Sequence, residues 1–461
     1  MEDTHKNYED QYEEKYQEHW MKIETALENE QLDEFREQFL VIHPYDQAMF
    51  FIEQSKENRL IIYSYLSPEE IAEIMINIEL EDTKQYFIEM DPRFAAMVFS
   101  DMPADDSVDI LNEMNKEEVA SFLTIMDKEA ADEIKQLLHY EEKTAGSIMT
   151  TEYVAVFKAQ TAEQAMKHLK KEAPGAETIY YLYVLNDDKQ LVGVLSLRDL
   201  IIANESTMIE EIMSEKIVAV SVGKDQEEVA QMFRDYDFLA LPVVDFQNHL
   251  LGIITVDDIL DVMEEEASED YSKLAAISDK DQPSDTAFSS ARKRLPWLII
   301  LLFLGMFTAT LIGQFEATLE KVAVLAIFIP LIGGTAGNAG TQALAVAIRG
   351  LATGEYEKQG KMKLILREGG TGLITGTVSG IVIMFIIYFW KGDLFLGMLV
   401  GVSIMVSLTV ATLAGTLVPM IMDSFKIDPA VASGPFITTI NDIISILIYF
   451  GLATTFMAYL I

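Results

Sequence analysis

Residues 434–450 read GPFITTINDIISILIYF, with one charge, Asp442, inside an apolar run that extends over 431–460. A helix needs about 20 apolar residues to cross the hydrocarbon core of a membrane, so this run is long enough to span. Asp442 then lies near the bilayer middle, where an ionised carboxylate costs roughly 2.5–3.5 kcal/mol unless it meets water, an ion or a partner. It marks either a site on an ion path or a protonated acid hydrogen-bonded between helices. Ser433, Gly434, Pro435, Thr438, Thr439 and Asn441 put oxygen groups and a loosened backbone on the same half of the helix. Irregular backbone at such depth is tolerated where it lines a cavity or is buried in protein, so these neighbours favour the ion path.

Four more apolar stretches precede this one, at 295–315, 322–348, 369–389 and 395–422, and Asp442 is the only acidic or basic side chain within the five. Arg292, Lys293 and Arg294 stand before the first stretch, and Arg349, Lys358, Lys361, Lys363 and Arg367 between the second and third. The positive-inside rule puts both segments in the cytoplasm, and an odd number of spans leaves the C-terminus outside. The second stretch has a feature that matches the last, IGGTAGNAGTQ at 332–342. Its glycines 333, 334, 337 and 340 permit close helix approach, and Asn338 and Gln342 supply amide oxygens.

The formal charge of -40 is unevenly spread: residues 295–461 hold nine acids and eight bases, and the preceding 294 residues hold 65 and 26. An acidic soluble part is joined to a neutral apolar one. A carboxylate surplus excludes nucleic acid as a partner, since phosphates demand Lys and Arg, and makes cations the natural ligands. With no cysteine in the chain and no histidine in any span, the remaining carboxylate, amide and carbonyl oxygens suit magnesium, calcium or manganese rather than copper or zinc. One carboxylate per chain cannot cage a bare cation. Doubled across a symmetric dimer, it can hold hydrated magnesium through the ion's own waters.

The first twenty residues, MEDTHKNYEDQYEEKYQEHW, are too polar for a secretory signal, so the acidic part is expected to stay in the cytosol. No P-loop, nucleophile elbow or HExxH motif occurs, and no enzyme is expected.

An internal repeat occupies 149–265: MTTEYVAV from Met149 returns as MSEKIVAV from Met213, and YLYVLNDDKQLVGVLSLRDLI returns as FLALPVVDFQNHLLGIITVDDIL. Each copy reads as strand, amphipathic helix, two strands around a turn and a closing helix. The pattern resembles a pair of cystathionine-beta-synthase-type (CBS) modules. In that family the hydroxyl and acid of G-x-x-[ST]-x-x-D often hold a nucleotide ribose, and the matching residues are Ser196 with Asp199 and Thr255 with Asp258. The resemblance implies an ATP site using Arg198 and Asp199, with Phe238 as a stacking face. Before the repeat, LSPEEIAEIM, MDPRFAAMVF, MPADDSVDILNEM and MDKEAADEIKQLL read as short amphipathic helices with Pro- or Asp-led starts, as in a helical superhelix. After it, VDDILDVMEEEASEDYSKLAAI puts Asp257, Asp261, Glu264 and Glu265 on one helical face, and Asp258, Glu266, Glu269 and Asp270 near another. Like charges at that spacing oppose folding unless a divalent cation neutralises them.

The order of parts, with GN-x-G-x-Q in the second span and DPAVASGPFITTINDI in the last, resembles the MgtE family of magnesium channels over nearly the whole chain after about residue 25. The expected fold is a polytopic α-helical membrane protein with five transmembrane helices, a cytosolic α-helical superhelix and a tandem CBS-module (α/β) domain. The expected boundaries are 1–145 for the superhelix, 146–206 and 207–256 for the modules, 257–294 for the acidic connecting helix and linker, and 295–461 for the pore.

The resemblance implies a homodimer in the plasma membrane. Asp442 of both subunits would bind hydrated magnesium, with Asn338, Gly434 and Thr438 near the path; the family often has Asn where Gly434 stands. It implies regulatory magnesium at Glu73, Asp105 and Asp109 in the superhelix, Asp101 and Asp106 being adjacent candidates. Asp225, Glu227 and Asp237 in the second module, and Asp258, Asp261, Glu266, Glu269 and Asp270 around the connecting helix, would complete the regulatory set. Two other readings remain open at this point: a proton-coupled carrier of divalent cations, and a membrane-tethered CBS sensor without transport.

Overall fold

The structure is a computed structural model that describes residues 18–277, 286–353 and 360–460. Lys358 and the first seventeen residues, used above for topology and localisation, lie outside them, as does the linker stretch 278–285. The chain divides into two compact units, Met1–Leu260 and Asp261–Ile461.

The first unit begins with a run of short helices whose starts are written in the sequence. Ser67 and Glu70 form a capping box ahead of Pro68–Ile76, Asn115 and Glu118 form another ahead of Lys116–Ile125, and Asp91 and Asp127 cap Pro92–Asp101 and Lys128–Leu137. Each cap satisfies amide hydrogens that the first turn cannot pair. The apolar stripes meet in a core that includes Phe35, Phe39, Phe50, Phe51, Phe87 and Phe99, all fully buried. Two forked ion pairs lock helices that are not sequence neighbours: Arg36 on Glu70 at 2.6 and 2.8 Å, and Arg59 on Glu89 at 2.8 and 3.0 Å. The helix that matters most for the site is α1, Ala104–Asn112.

Two three-stranded sheets follow, β1-β2-β3 (Tyr153–Phe157, Thr178–Leu185, Leu191–Ser196) and β4-β5-β6 (Val220–Ser221, Ala240–Val244, Leu250–Thr255). In each, the first strand pairs parallel to the second and the second antiparallel to the third, so the sequence repeat is a structural one. Tyr183 and Leu191 of the first module share a core with Ala240, Val244, Leu250 and Ile253 of the second. Helix α2, Gln226–Tyr236, crosses between β4 and β5, and β6 runs directly into α3, Val256–Leu274.

The second unit carries five helices long and apolar enough to cross a membrane: α4 (Ala287–Gly313), α5 (Ile329–Ala352, preceded by a 3-10 turn), α6 (Lys361–Lys391), α7 (Leu394–Ser424) and α8 (Gly434–Thr455). Helices α4 and α6 begin eight residues before their apolar stretches, because a Thr286 cap or a basic first turn continues a helix whether or not it faces lipid. Close approach builds the bundle. Gly380 and Gly401 present bare Cα atoms to each other between α6 and α7, and Gly340 does the same for Gly415 between α5 and α7, which is how small residues replace hydrophobic drive inside a bilayer. No residue of α4 is buried by this single chain.

Candidate ion path and cation-sensing acids

Asp442 sits one turn after Thr438 on α8, and both face the glycine column of α5. A Cβ at position 333 would lie 2.8 Å from Asp442 Oδ1, and one at 337 would lie 2.7 Å from Thr438 Cγ2. Thr438 Oγ1 bonds Thr341 Oγ1 at 3.2 Å and donates to the Gly434 carbonyl at 2.9 Å. Glycine at 333 is therefore what lets the carboxylate reach the α5 backbone. Among the described residues no basic side chain pairs with Asp442.

The neighbouring column of α5 carries Gly334, Asn338 and Gln342, all exposed in one chain. Amide side chains uncovered at membrane depth are costly against lipid, so this stripe calls for water or a second protein surface. Gly434 is buried, and a Cβ there would stand 3.3 Å from the Leu274 carbonyl at the end of α3.

Of the acids expected to sense cations, the fold brings Asp105 of α1 and Asp258 of α3 into one cluster. Burial raises the Asp105 carboxyl well above its usual range, with Asp106 and Asp258 adding like charge. One of its oxygens is buried with no hydrogen-bond partner. Asp106 is pushed up to about 7 by burial, then by Asp258, Asp109 and Glu177. Glu152 is also pushed up to about 7, by burial, Glu177 and Glu133. Glu177, at the exposed rim, is raised by partial desolvation and by Asp258 and Asp257. Asp258 meanwhile accepts from the Thr255 hydroxyl and amide, so it is held in place from its own helix start.

The remaining candidates stand differently. Glu73 and Asp109 are exposed on their helices, and Asp261 is exposed on α3. Asp225 caps α2, accepting from the Glu227 amide at 2.9 Å, and Asp237 ends α2 in a left-handed conformation at φ 54°. Asp270 is pushed up to about 6 by burial and by Asp428, while Lys273 bonds both Asp428 and Glu269. Among the described residues no three acids or histidines converge closely enough in one chain to cage a metal ion.

At the expected nucleotide position, Ser196 Oγ donates to Asp199 at 2.6 Å and accepts from its amide at 3.1 Å, leaving Arg198 and Asp199 exposed. Phe238 stacks on Tyr236 with centroids 5.3 Å apart.

Comparison with known proteins bears on this arrangement. The family described as divalent cation transporter matches residues 329–452, the MgtE intracellular N domain matches 42–143, and the CBS domain matches 145–205 and 209–265. A magnesium transporter MgtE of Enterococcus faecalis is 52% identical over 438 residues, covering 95% of this chain and 96% of that one.

This chain belongs to the MgtE family of magnesium transporters. The MgtE of Bacillus subtilis is 41% identical over 95% of the chain and 97% of its own length. Among solved structures, the soluble part of a magnesium transporter matches with 48% identity and a TM-score of 0.53 over 54% of this chain and 99% of its own. The cytosolic domain of the Mg2+ channel MgtE in complex with ATP matches with 37% identity and a TM-score of 0.50, over 53% and 99%. MgtE is thus a multi-pass transporter family rather than an enzyme family, and the fold drawn from the sequence is the one observed.

Sequence reading did not select Glu152, Glu177, Asp428 or Lys273. Asp428 opens the DPAVASGPFITTINDI stretch but nothing there points to Lys273 as its partner, and no motif marks Glu152, Glu177 or Lys273; what the four share is placement by long-range folding.

Proposed function

We propose that the chain is a magnesium channel of the plasma membrane, formed by two copies and closed by internal magnesium. The observation that carries this reading is Asp442, the lone charge inside the spans, set against Gly333 beside the uncovered stripe of Gly334, Asn338 and Gln342. Two such faces opposed across a dimer axis make a water-filled path with a carboxylate from each side. A hydrated magnesium ion passes there because oxygen acceptors reach its waters and no softer ligand competes. Thr438 and the backbone at Gly434 belong to the cytosolic half of the same wall. The N-terminus lies in the cytoplasm and the C-terminus outside.

The acids of the first unit suit a divalent regulator. Their donors are all hard oxygens, one Asp105 oxygen is buried without a partner, and burial disfavours their charge. A bound divalent cation supplies the positive charge that lets these groups ionise together. Glu73, Asp109, Asp225, Glu227, Asp237, Asp261, Glu266, Glu269 and Asp270 extend the acidic surface towards the partner subunit and along α3. When they are bare they repel, α3 separates from its partner and the path opens; when they are neutralised the compact arrangement is favoured. Arg198, Asp199 and Phe238 form an ATP site that modulates this equilibrium.

The deciding experiment is magnesium uptake into proteoliposomes by wild type and Asp442→Ala as internal magnesium is stepped from zero to several millimolar. Flux that needs Asp442 and falls with internal magnesium is expected. Flux that persists without Asp442 would move the ion path elsewhere, and flux that tracks a proton gradient would make the protein a coupled carrier.

A further inference from the structure

The end of α3 and the turn that leads into α8 are joined by one cation. Lys273 pairs with Glu269 one turn earlier at 2.5 Å and donates to Oδ2 of Asp428, 155 residues away in sequence. Asp428 also holds the turn itself, since its Oδ1 accepts from the Ala430 amide at 2.8 Å and so caps Pro429–Val431. That turn ends at Ser433, where α8 begins. Directly beside the ion pair, Leu274 packs with Ala430, Ala432 and Ile437, and with Leu344 and Ile348 of α5. The lysine and Asp428 side chains are 28% and 37% exposed, so water screens the pair only in part.

The surrounding charge makes this lysine consequential. Glu266, Glu269 and Asp270 of α3 all bear on the same place as Asp428. Without Lys273, Asp428 would face those carboxylates with no counter-charge on the helix, and the seat of Leu274 would be pushed apart.

We infer that Lys273 is a built-in counter-cation that keeps the end of the connecting helix docked on the turn before the last membrane helix. The inference rests on the gating function proposed above. The docked end belongs to the compact arrangement, whereas the acidic N-terminal half, where no lysine or arginine occurs between Val256 and Ser272, depends on the divalent cation for its neutralisation. Lys273 acts on the ion path through Asp428 and the start of α8; it touches no transported ion.

The test uses the full-length protein in proteoliposomes, with magnesium flux measured against internal magnesium. Lys273→Met should raise the internal magnesium needed for half-closure by roughly 3- to 10-fold, the worth of one charge-assisted bond, while flux at zero internal magnesium persists. Lys273→Arg should restore the wild-type midpoint. Asp428→Asn keeps the turn cap and should shift the midpoint in the same direction, with no further shift when combined with Lys273→Met; it also carries the test if the methionine variant does not fold. An unchanged midpoint in both variants would overturn the inference, and a lower midpoint would overturn it in favour of a lysine that competes with the divalent cation. A wild type that never closes would instead remove the gating function on which the inference stands.

Discussion

In the first unit burial and like charge raise the carboxyls of Asp105, Asp106, Glu152 and Glu177, with Asp258 among the neighbours that bear on them, and Asp106 and Glu152 are pushed up to about 7. In the membrane unit one carboxylate, Asp442, stands alone against a glycine. The contrast separates two uses of the same chemical group. Crowded acids change their mutual energy with every cation that arrives, which suits sensing. A lone acid whose neighbours are backbone and neutral oxygens offers a weak, hydrated contact that an ion can leave, which suits conduction.

The comparison breaks most sharply at the lone acid. Asp442→Asn keeps the shape and removes the charge, and should lower magnesium flux at zero internal magnesium by at least about 100-fold, measured as uptake by reconstituted protein that still elutes as one species. A substitution opposite it should do nearly as much. Gly333→Ala would bring a methyl to within 2.8 Å of Asp442 Oδ1; the carboxylate must then swing away from α5 and leave its place on the path, so flux should fall about 10-fold or more, with closure by internal magnesium unchanged.

The crowded acids answer differently. Asp106→Asn with Asp258→Asn removes repulsion from the bare cluster and ligands from the filled one. The ratio of flux at zero to flux at high internal magnesium should therefore collapse by about 10-fold, within the usual range of coupling between sites, while conduction itself survives. A double variant whose magnesium response matches wild type would show that this cluster is not the sensor.

How much of this was legible depended on sequence distance. The spans, the doubled β-α-β-β pattern and the Pro- or Asp-led helix starts at Pro68, Pro92 and Asp127 rest on residues within a turn or a strand of each other, and all were readable. Asp442 stood out because any charge in an apolar run must be accounted for. The two G-x-x-[ST]-x-x-D copies look alike in sequence, yet Asp199 is exposed and Asp258 faces the acids of α1 and the first module. Nothing local distinguishes them; the superhelix folding back on one of them does. The pairings of Lys273 with Asp428 and of Glu152 with Asp106 are likewise products of tertiary packing, and nothing in periodicity or motif joins their members.

The smallest expected effect is that of protons, and its sign follows from the direction of the shifts. Asp106 and Glu152 are both pushed up to about 7 in the compact arrangement, above the roughly 4 of free carboxyls. A raised carboxyl favours compaction fully below its unfolded value, and that contribution is lost as pH rises through about 7. Protons thus stand in for the cation at mildly acidic internal pH, with Asp258, Asp109 and Glu177 as the charged groups facing Asp106, and Glu177 and Glu133 those facing Glu152. At zero internal magnesium, flux at internal pH 6 should be lower than at pH 8 by about 2- to 5-fold. The same change should be muted by Asp106→Asn with Glu152→Gln, which cannot titrate. Magnesium must also displace these protons to bind, so its own effect on flux should be larger at pH 8. A flux that rises on acidification would mean that the cluster sets pH dependence in the opposite sense, and that its compact form is the conducting one.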